Sequence, residues 1–458
     1  MLARAYCVGN TEAGCILALS VLGPMHILLF HMYYLRPGES GNTRFNDFCQ
    51  LWLESDPELR ITVFTGTVNH YTGELRVDTG NGLFVESNDE GAGERRDRIR
   101  VVHVKQAATY GKGFAGKAWS QMQWSRNCQR VLRSWPDKPD VIVATSPPLW
   151  AAEPLLLARR KWGIPAVIEE RDLWPESIVQ LGLAPAWHPA VQYLAWLERR
   201  LVTTADHFVG VVRTSLNSIV ERGLKPREQC SMFTNGIWLP RFDNIDPQAR
   251  GRIRNELGIS PEQVVCMYIG QMGKFQRVID IVDIADQMQG REDIEFLVMA
   301  DGPDREEIVA EAGRRRLGRL RFLPLVPADD VPNWLSVADI GIGLLNSTGN
   351  INWNSTTSGV IPGKMYDYAG AKLPVVFNAH GLPQDMIERE AGGGIFASTV
   401  ERFDEFCAAI TKLADDEQLR REMGLRNYEG MAVRYNKQRM AEGYLSLMRS
   451  LVEQYRQA

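Results

Sequence analysis

The chain is 458 residues long, more than one hydrophobic core ordinarily holds, so two domains are expected. With 45% hydrophobic and 24% charged residues the composition is that of a soluble globular protein, and a net charge of −4 gives no reason to expect a nucleic-acid partner. The seven cysteines are scattered without a Cys-x-x-Cys pair, and the seven histidines form no His-x-x-x-His or His-Glu-x-x-His pattern. That argues against a disulfide framework and a protein-built metal centre, and for a reducing compartment.

The first feature along the chain is the apolar stretch "CILALSVLGPMHILLFHMYYL" (15–35). Pro24 splits it into two runs too short to span a bilayer, and "SVLGP" is a poor signal-cleavage site. "HILLFHM" (26–32) is therefore expected as the first buried strand, with residues 1–24 an N-terminal extension. The glycine-rich loop "LRPGESGNTRF" (35–45) follows it and suits close approach by a ligand or another domain.

Short apolar runs then recur, each followed by a helical pattern, at 61–66, 100–105, 140–147, 166–172 and 207–212. This is the signature of parallel βα units. "PDVIVATSPPL" (139–149) leads a strand into Ser-Pro-Pro, and "AVIEERDLWPES" (166–177) crowds Glu169, Glu170, Arg171, Asp172 and Glu176 around a strand end. A buried strand delivers such charges to a cleft, so they are candidates for chemistry. Basic residues gather in "LARRKWG" (157–163) and "LERRL" (197–201), each near a tryptophan. Solvated helix faces explain both, and docking on an anionic membrane surface is the alternative.

Strand, turn, prolines and a polar helix follow one another over 230–260, which reads as an interdomain connection. A second set of apolar runs follows at 264–270, 295–302, 320–326, 340–346, 374–379 and 393–398, and the chain ends in charged, leucine-rich helices. The expected fold class is α/β, with two facing Rossmann-like doubly wound parallel sheets. The expected divisions are 25–240, 241–435 and a C-terminal helix 436–458 packing back on the first domain. Ligands in such folds sit at the carboxyl ends of the strands.

Two strand exits in the second half suit a phosphate. In "YIGQMGKFQRVIDIVDIAD" (268–286), Gly270 and Gly273 let the backbone approach a ligand and Lys274 adds a positive charge. An ordinary tight turn gives the same pattern. In "SGVIPGKMYDYAGAKLPVV" (358–376), Pro362 suits the first turn of a helix, Gly363 leaves the backbone accessible, and Lys364 places an ammonium at the helix's positive end. That cation opposes the helix dipole and costs stability unless an anion sits there. Asp367, one turn on, lies where a ribose diol beyond a phosphate would reach. A surface lysine and an acid on a core helix are the plain alternative.

"PDVIVATSPP", "RDLWPES", "TNGIWLPRF", "YIGQMGKFQ", "MADGP" and "IPGKMYDYAGAKLPVV" together resemble a retaining glycosyltransferase of family 4 with the two-Rossmann GT-B fold. They are most similar to the branch that builds bacterial surface polysaccharides such as colanic acid and O-antigen, and the resemblance runs from about residue 26 to 445. It implies that the second domain holds a nucleotide-diphosphate sugar, such as a UDP-sugar, and the first an acceptor. Gly273 and Lys274 match the family's diphosphate loop, and Lys364 its second phosphate-contacting lysine. Asp367 stands where a glutamate usually meets the ribose, and Val326 and Pro327 follow the strand whose loop contacts the base. Arg171 and Asp172 occupy the place of the His-Asp or Arg-Asp pair near the reacting sugar. Three departures stand out: Gly359 replaces the first acid of Glu-x7-Glu, "IPGK" replaces Ile-Pro-Ser-Lys, and "FQRV" lacks the usual Lys-Gly, leaving Arg277 as a possible substitute.

The implied activity is transfer of a hexose-type sugar with retention, in surface polysaccharide or glycolipid assembly, with no metal and no cofactor beyond the donor. Lys274 and Lys364 would stabilise the leaving diphosphate, and Asp172 would orient the acceptor or sugar. The implied partners are the donor and a lipid-linked or saccharide acceptor. The implied location is the cytoplasm, with peripheral contact at the inner membrane. The rival readings are a nucleotide-sugar 2-epimerase, which uses the same paired domains, and a non-catalytic nucleotide-sugar-binding subunit, raised by Gly359. A dinucleotide oxidoreductase is disfavoured because no Gly-x-Gly-x-x-Gly follows a strand.

Overall fold

The computed structural model describes residues 24–36, 39, 43–69, 73–88, 97–108, 113–180, 182, 184–273, 276–345, 361–399 and 403–457. The strands of the first half are β1 (His26–Phe30), β2 (Arg60–Gly66), β3 (Phe84–Asn88), β4 (Ile99–Val104), β5 (Val141–Ser146), β6 (Ala166–Glu170), β7 (His207–Gly210) and β8 (Cys230–Met232). They form one sheet in the order β3-β4-β2-β1-β5-β6-β7-β8, parallel throughout except for the antiparallel β3–β4 pair. The second half supplies β9 (Val264–Gln271), β10 (Ile294–Asp301), β11 (Leu320–Leu323), β12 (Ile340–Gly343), β13 (Val375–Phe377) and β14 (Gly394–Phe396). Their order is β11-β10-β9-β12-β13-β14, all parallel.

These strands read as unbroken apolar runs because both of their faces are covered. In β1, Leu28 and Phe30 enter the core beneath helices Gly113–Ser134, Pro154–Trp162 and Pro189–Thr204, while Ile27 and Leu29 enter the core on the opposite face. That opposite face is closed by helix Arg44–Ser55 and by the last helix of the chain, Lys437–Gln457, through Ala441, Tyr444, Leu445 and Met448. Trp52 Nε1 donates to the Ala441 carbonyl at 2.8 Å, fixing one helix on the other. Among the described residues no helix is long and apolar enough to cross a membrane.

One strand lies outside the expected set: β3 is a half-polar edge strand, tied to β4 by the Arg100–Glu86 ion pair at 2.7 Å. β8 is the short strand expected at the head of the connecting stretch, and it joins the first sheet. Beyond β8 the chain crosses between the two sheets and meets its own later passage. Ile237 N donates to Tyr435 O at 2.6 Å and Lys437 N returns a bond to Ile237 O at 2.9 Å. In each sheet the strand order reverses once, between β1 and β5 and between β9 and β12. Crevices at the carboxyl ends of strands open at such reversals.

Candidate functional site

β9 runs into the reversal of the second sheet, and its last residue but one is Gly270, whose φ of 120° lies in the region that favours glycine. A side chain there would stand 3.5 Å from Lys364 Cε and 3.6 Å from Lys364 Nζ, so the lysine lies directly over this strand exit. Lys364 belongs to helix Gly363–Gly370, which follows β12. Tyr368, one turn up, holds that helix on the sheet: its hydroxyl accepts from Ile269 N at 3.1 Å and lies 3.0 Å from Ile342 O, bridging β9 and β12.

The Lys364 ammonium has lost almost all water. Nζ sits 3.6 Å above the centre of the Tyr268 ring, a cation–π contact, and finds no hydrogen-bond partner among the described residues. The ring is itself held, because the Tyr268 hydroxyl donates to Gln271 O at 2.8 Å. Burial pushes the Lys364 pKa well down from the ordinary lysine range. An anion of matching reach would satisfy both the charge and the unused donors.

The start of the helix faces the same opening. Pro362 is the residue just before the first helical one, with φ −58° and ψ 136°, rather than part of the first turn as expected; its ring fixes φ and suits either place. Among the described residues no side chain caps this end and none crowds Gly363. Gly273 lies beyond β9 in a turn closed by Gln276 N to Gly273 O at 2.9 Å. A third strand exit packs against this one. Gly302 has φ 148°, and a side chain there would collide with the Met272 carbonyl, so only glycine lets the β10 exit lie so near the β9 exit. Lys274 and Gly359 lie outside the described residues. Arg277 is committed elsewhere: its Nε binds the buried Asp280 carboxylate at 2.7 Å.

Asp367 and Val326 have other neighbours. Val326 follows β11 and packs half-buried on the second core. The Asp367 carboxyl is raised by burial and by Asp47, against the pull of Lys437 and Arg241. Those three form an ion cluster where the halves of the chain meet, with Lys437 Nζ at 2.5 Å and Arg241 at 3.0 Å from Asp47. Asp367 thus looks toward the seam between the sheets, a relationship that the spacing within one helix does not reveal.

In the first sheet the crowded strand end resolves into separate roles. Glu169 is fully buried and paired twice with Arg44, each contact at 3.0 Å, and Arg44 also donates to Phe233 O and Thr234 O at 2.7 Å. Glu169 is therefore a structural anchor for the crossing segment. Glu170 is buried, and its carboxyl is pushed well up by burial and then by Glu198 and Glu176, with Arg222 opposing. Arg171 folds back on the β5 exit, its backbone N donating to Ser146 O at 2.9 Å and its guanidinium to Pro147 O at 2.8 Å. Asp172 emerges next, half-buried, its carboxyl raised by burial and held down in part by Arg171. The residues that sequence reasoning missed are Arg44, Tyr268, Tyr368 and the Asp47–Arg241–Lys437 cluster, all partners distant in sequence.

The structure thus brings Gly270, Lys364 and the helix start at 362–363 to one opening, with Gly273 beside it, and places Arg171 and Asp172 at the carboxyl edge of the other sheet. The family model for a glycosyl transferase 4-like domain matches residues 18–236, and that for glycosyl transferases group 1 matches residues 263–416. WcaI of Escherichia coli (strain K12), named a colanic acid biosynthesis glycosyl transferase, is 25% identical over 209 residues, which are 45% of this chain and 50% of that protein. The chain therefore spans about half the length of that curated relative. Among solved structures, sucrose-phosphate synthase from Thermosynechococcus elongatus aligns with a TM-score of 0.70 at 13% identity, over 93% of this chain and 99% of that one. Anabaena Alr3699/HepE in complex with UDP-glucose aligns with a TM-score of 0.64 at 14% identity, over 93% of this chain and 100% of that one. Likeness at such identity establishes the shared two-sheet fold.

Proposed function

The chain belongs to the glycosyl transferases whose 4-like and group 1 domains it carries in order, and from that premise we propose that it moves a sugar from a UDP-sugar to an acceptor hydroxyl, with retention and without a metal. One observation carries the reading: the desolvated Lys364 ammonium, unpartnered among the described residues, at an uncapped helix start where the strand order reverses. A diphosphate supplies what that ammonium lacks. UDP-glucose is the ligand of one protein of the same fold, which supports the choice of nucleotide.

In this scheme residues 25–240 present the acceptor and residues 241–435 the donor. Gly270, Gly273 and Gly363 admit the diphosphate backbone-close, and Lys364 and Lys274 neutralise it. Val326 lines the base side, and Asp367 holds the ribose. The anomeric C–O bond to the phosphate breaks as the acceptor oxygen bonds to the same face of that carbon, and the acceptor proton passes to the departing phosphate oxygen. Lys364 and the helix N–H groups gain strength as charge grows on that oxygen; one such donor is worth about 3–4 kcal/mol. Asp172, steadied by Arg171, orients the acceptor hydroxyl or the sugar. The acceptor is a saccharide or a lipid-linked saccharide, met by peripheral contact at the cytoplasmic face of a membrane, in surface polysaccharide or glycolipid assembly.

A thermal-shift screen over nucleotide sugars tests the donor site, because a ligand that binds the folded state raises its apparent stability. A UDP-sugar is expected to raise the melting temperature of the wild-type chain and to lose most of that effect in Lys364→Met. No shift with any common donor contradicts the reading. An epimerised sugar formed without acceptor would replace transfer by 2-epimerisation.

A further inference from the structure

The outer face of the first domain carries a surface that the transfer chemistry does not use. Four of its aromatic side chains stand in water: Trp187 is 77% exposed, Trp196 50%, Trp119 48% and Tyr193 42%. Large apolar groups clustered in solvent mark a contact surface. Tyr193 and Trp196, on helix Pro189–Thr204, lie ring to ring at 5.7 Å, and Arg200 covers the Trp196 ring at 5.2 Å. Trp119, on helix Gly113–Ser134, lies beneath Arg126 at 5.9 Å. The two helices pack on the same core, through Trp124 and Val131 of one and Val191 and Leu194 of the other. Burial and then Glu153 push the Tyr193 hydroxyl up, while Trp150, Arg126 and Arg200 pull it down, so the arginines of both helices act on this one ring.

The exposed charge of these two helices has one sign. Helix Gly113–Ser134 contains no Asp or Glu. Helix Pro189–Thr204 has one acid, Glu198, which is buried and bound by Arg222 at 2.8 Å. Glu153, the carboxylate that acts on Tyr193, is half-buried and accepts from Ser125 Oγ at 2.6 Å. A positive, tryptophan-rich face on a chain of net charge −4 is a local arrangement and not a consequence of composition. In the similar-looking segment at 157–163 two of the three cations are taken up, since Lys161 donates to Leu132 O and Trp135 O at 2.7 Å and Arg159 binds Asp206 at 2.8 Å.

The topology then says where this face lies. Helices that follow parallel strands start at the strands' carboxyl ends and run back. Trp119 is in the second turn of its helix, Tyr193 and Trp196 are in the first half of theirs, and Trp187 is in the turn before it. All four therefore stand toward the edge of the sheet from which Arg171 and Asp172 emerge.

We propose that this aromatic and basic rim, formed by Trp119 and Arg126 with Trp187, Tyr193, Trp196 and Arg200, docks the protein on an anionic lipid bilayer. The inference deepens the reading of a lipid-linked acceptor given above and locates it. Tryptophan and tyrosine settle at the headgroup level, arginine meets the lipid phosphates, and the two together supply the paired signals that stable peripheral binding needs. Docked this way, the acceptor edge of the first domain faces the surface that holds the substrate.

Co-sedimentation of the full chain with phosphatidylcholine vesicles, with and without about 30% phosphatidylglycerol, tests it. The wild type is expected to partition onto the anionic vesicles and to be released by high salt. Trp187→Ser/Trp196→Ser and Arg126→Gln/Arg200→Gln should each weaken partitioning about tenfold or more, at about 1 kcal/mol per basic residue near the surface. Arg126→Lys/Arg200→Lys should retain it. All variants should keep the circular dichroism and the UDP-sugar thermal shift of the wild type. Equal binding to neutral vesicles, no binding to anionic ones, or binding indifferent to these substitutions overturns the proposal. So does a concentration-dependent dimer that the same substitutions abolish, because the face would then join two copies. Vesicle binding that persists without any donor-induced shift would leave docking standing and remove the transferase reading.

Discussion

Lys364→Met should make the unliganded protein more stable while disabling it. In the folded chain the ammonium is buried over Tyr268 with no hydrogen-bond acceptor among the described residues. An unpaired buried ammonium costs several kcal/mol, of which the ring recovers about 2. Methionine fills a similar volume without charge, so the net gain is about 1–3 kcal/mol, a rise of about 2–4 °C in Tm for each kcal/mol in a domain of this size. The pH dependence has a definite sign. Burial lowers the folded pKa below the ordinary lysine value, so between the two the unfolded chain binds more protons and wild-type stability climbs with pH. The advantage of the methionine variant is therefore full below the lowered folded pKa and fades as pH rises from there toward the unfolded lysine value. Transfer should fall about 10²–10³-fold, because one charge-stabilising donor has been lost. Denaturant melts from pH 6 to 10, with and without UDP, measure both halves. A variant less stable than wild type without ligand, or one that keeps the full UDP-induced shift, refutes the assignment of Lys364 to a phosphate.

Three further changes probe the rest of the site. Asp172 is raised by burial, so its carboxylate forms only as pH passes that raised value; the transfer rate should climb through that window and then level off, while Asp172→Asn gives a low, flat profile. The same raised pKa means that the native carboxylate weakens the fold as pH rises above the unfolded aspartate range, so Asp172→Asn should be slightly stabilising at neutral pH by chemical denaturation. Arg44→Met leaves Glu169 buried and unpaired and should cost about 3–5 kcal/mol, read as a drop in the denaturation midpoint. Gly270→Ala forces a side chain into φ 120° against Lys364 and should cost about 1–3 kcal/mol, and the UDP-induced shift should shrink with it.

Much of the fold was legible because parallel strands covered on both faces announce themselves as apolar runs. β3 was not, since half of its residues face water and only its pairing with β4 makes it a strand. The helix start at 362–364 was readable from residue types, but the depth at which Lys364 lies over Tyr268 was not. Adjacent acids show the same limit. Glu169 and Glu170 look alike in sequence, yet one is neutralised by an arginine 125 residues away and the other lies among carboxylates. The segments 157–163 and 197–201 also look alike, yet the first ties Lys161 to carbonyls and Arg159 to Asp206, while the second leaves both of its arginines in solvent.

The central claim is that the two sheets hold a nucleotide-sugar and an acceptor and pass the sugar between them with retention. The most direct test incubates the full chain with a UDP-sugar and a lipid-linked or saccharide acceptor and follows both UDP release and the anomeric proton of the product by NMR. The account predicts acceptor-dependent UDP release, a glycoside with the anomeric configuration of the donor, and full activity in the presence of a metal chelator. An inverted product, or UDP release indifferent to acceptor, would contradict it.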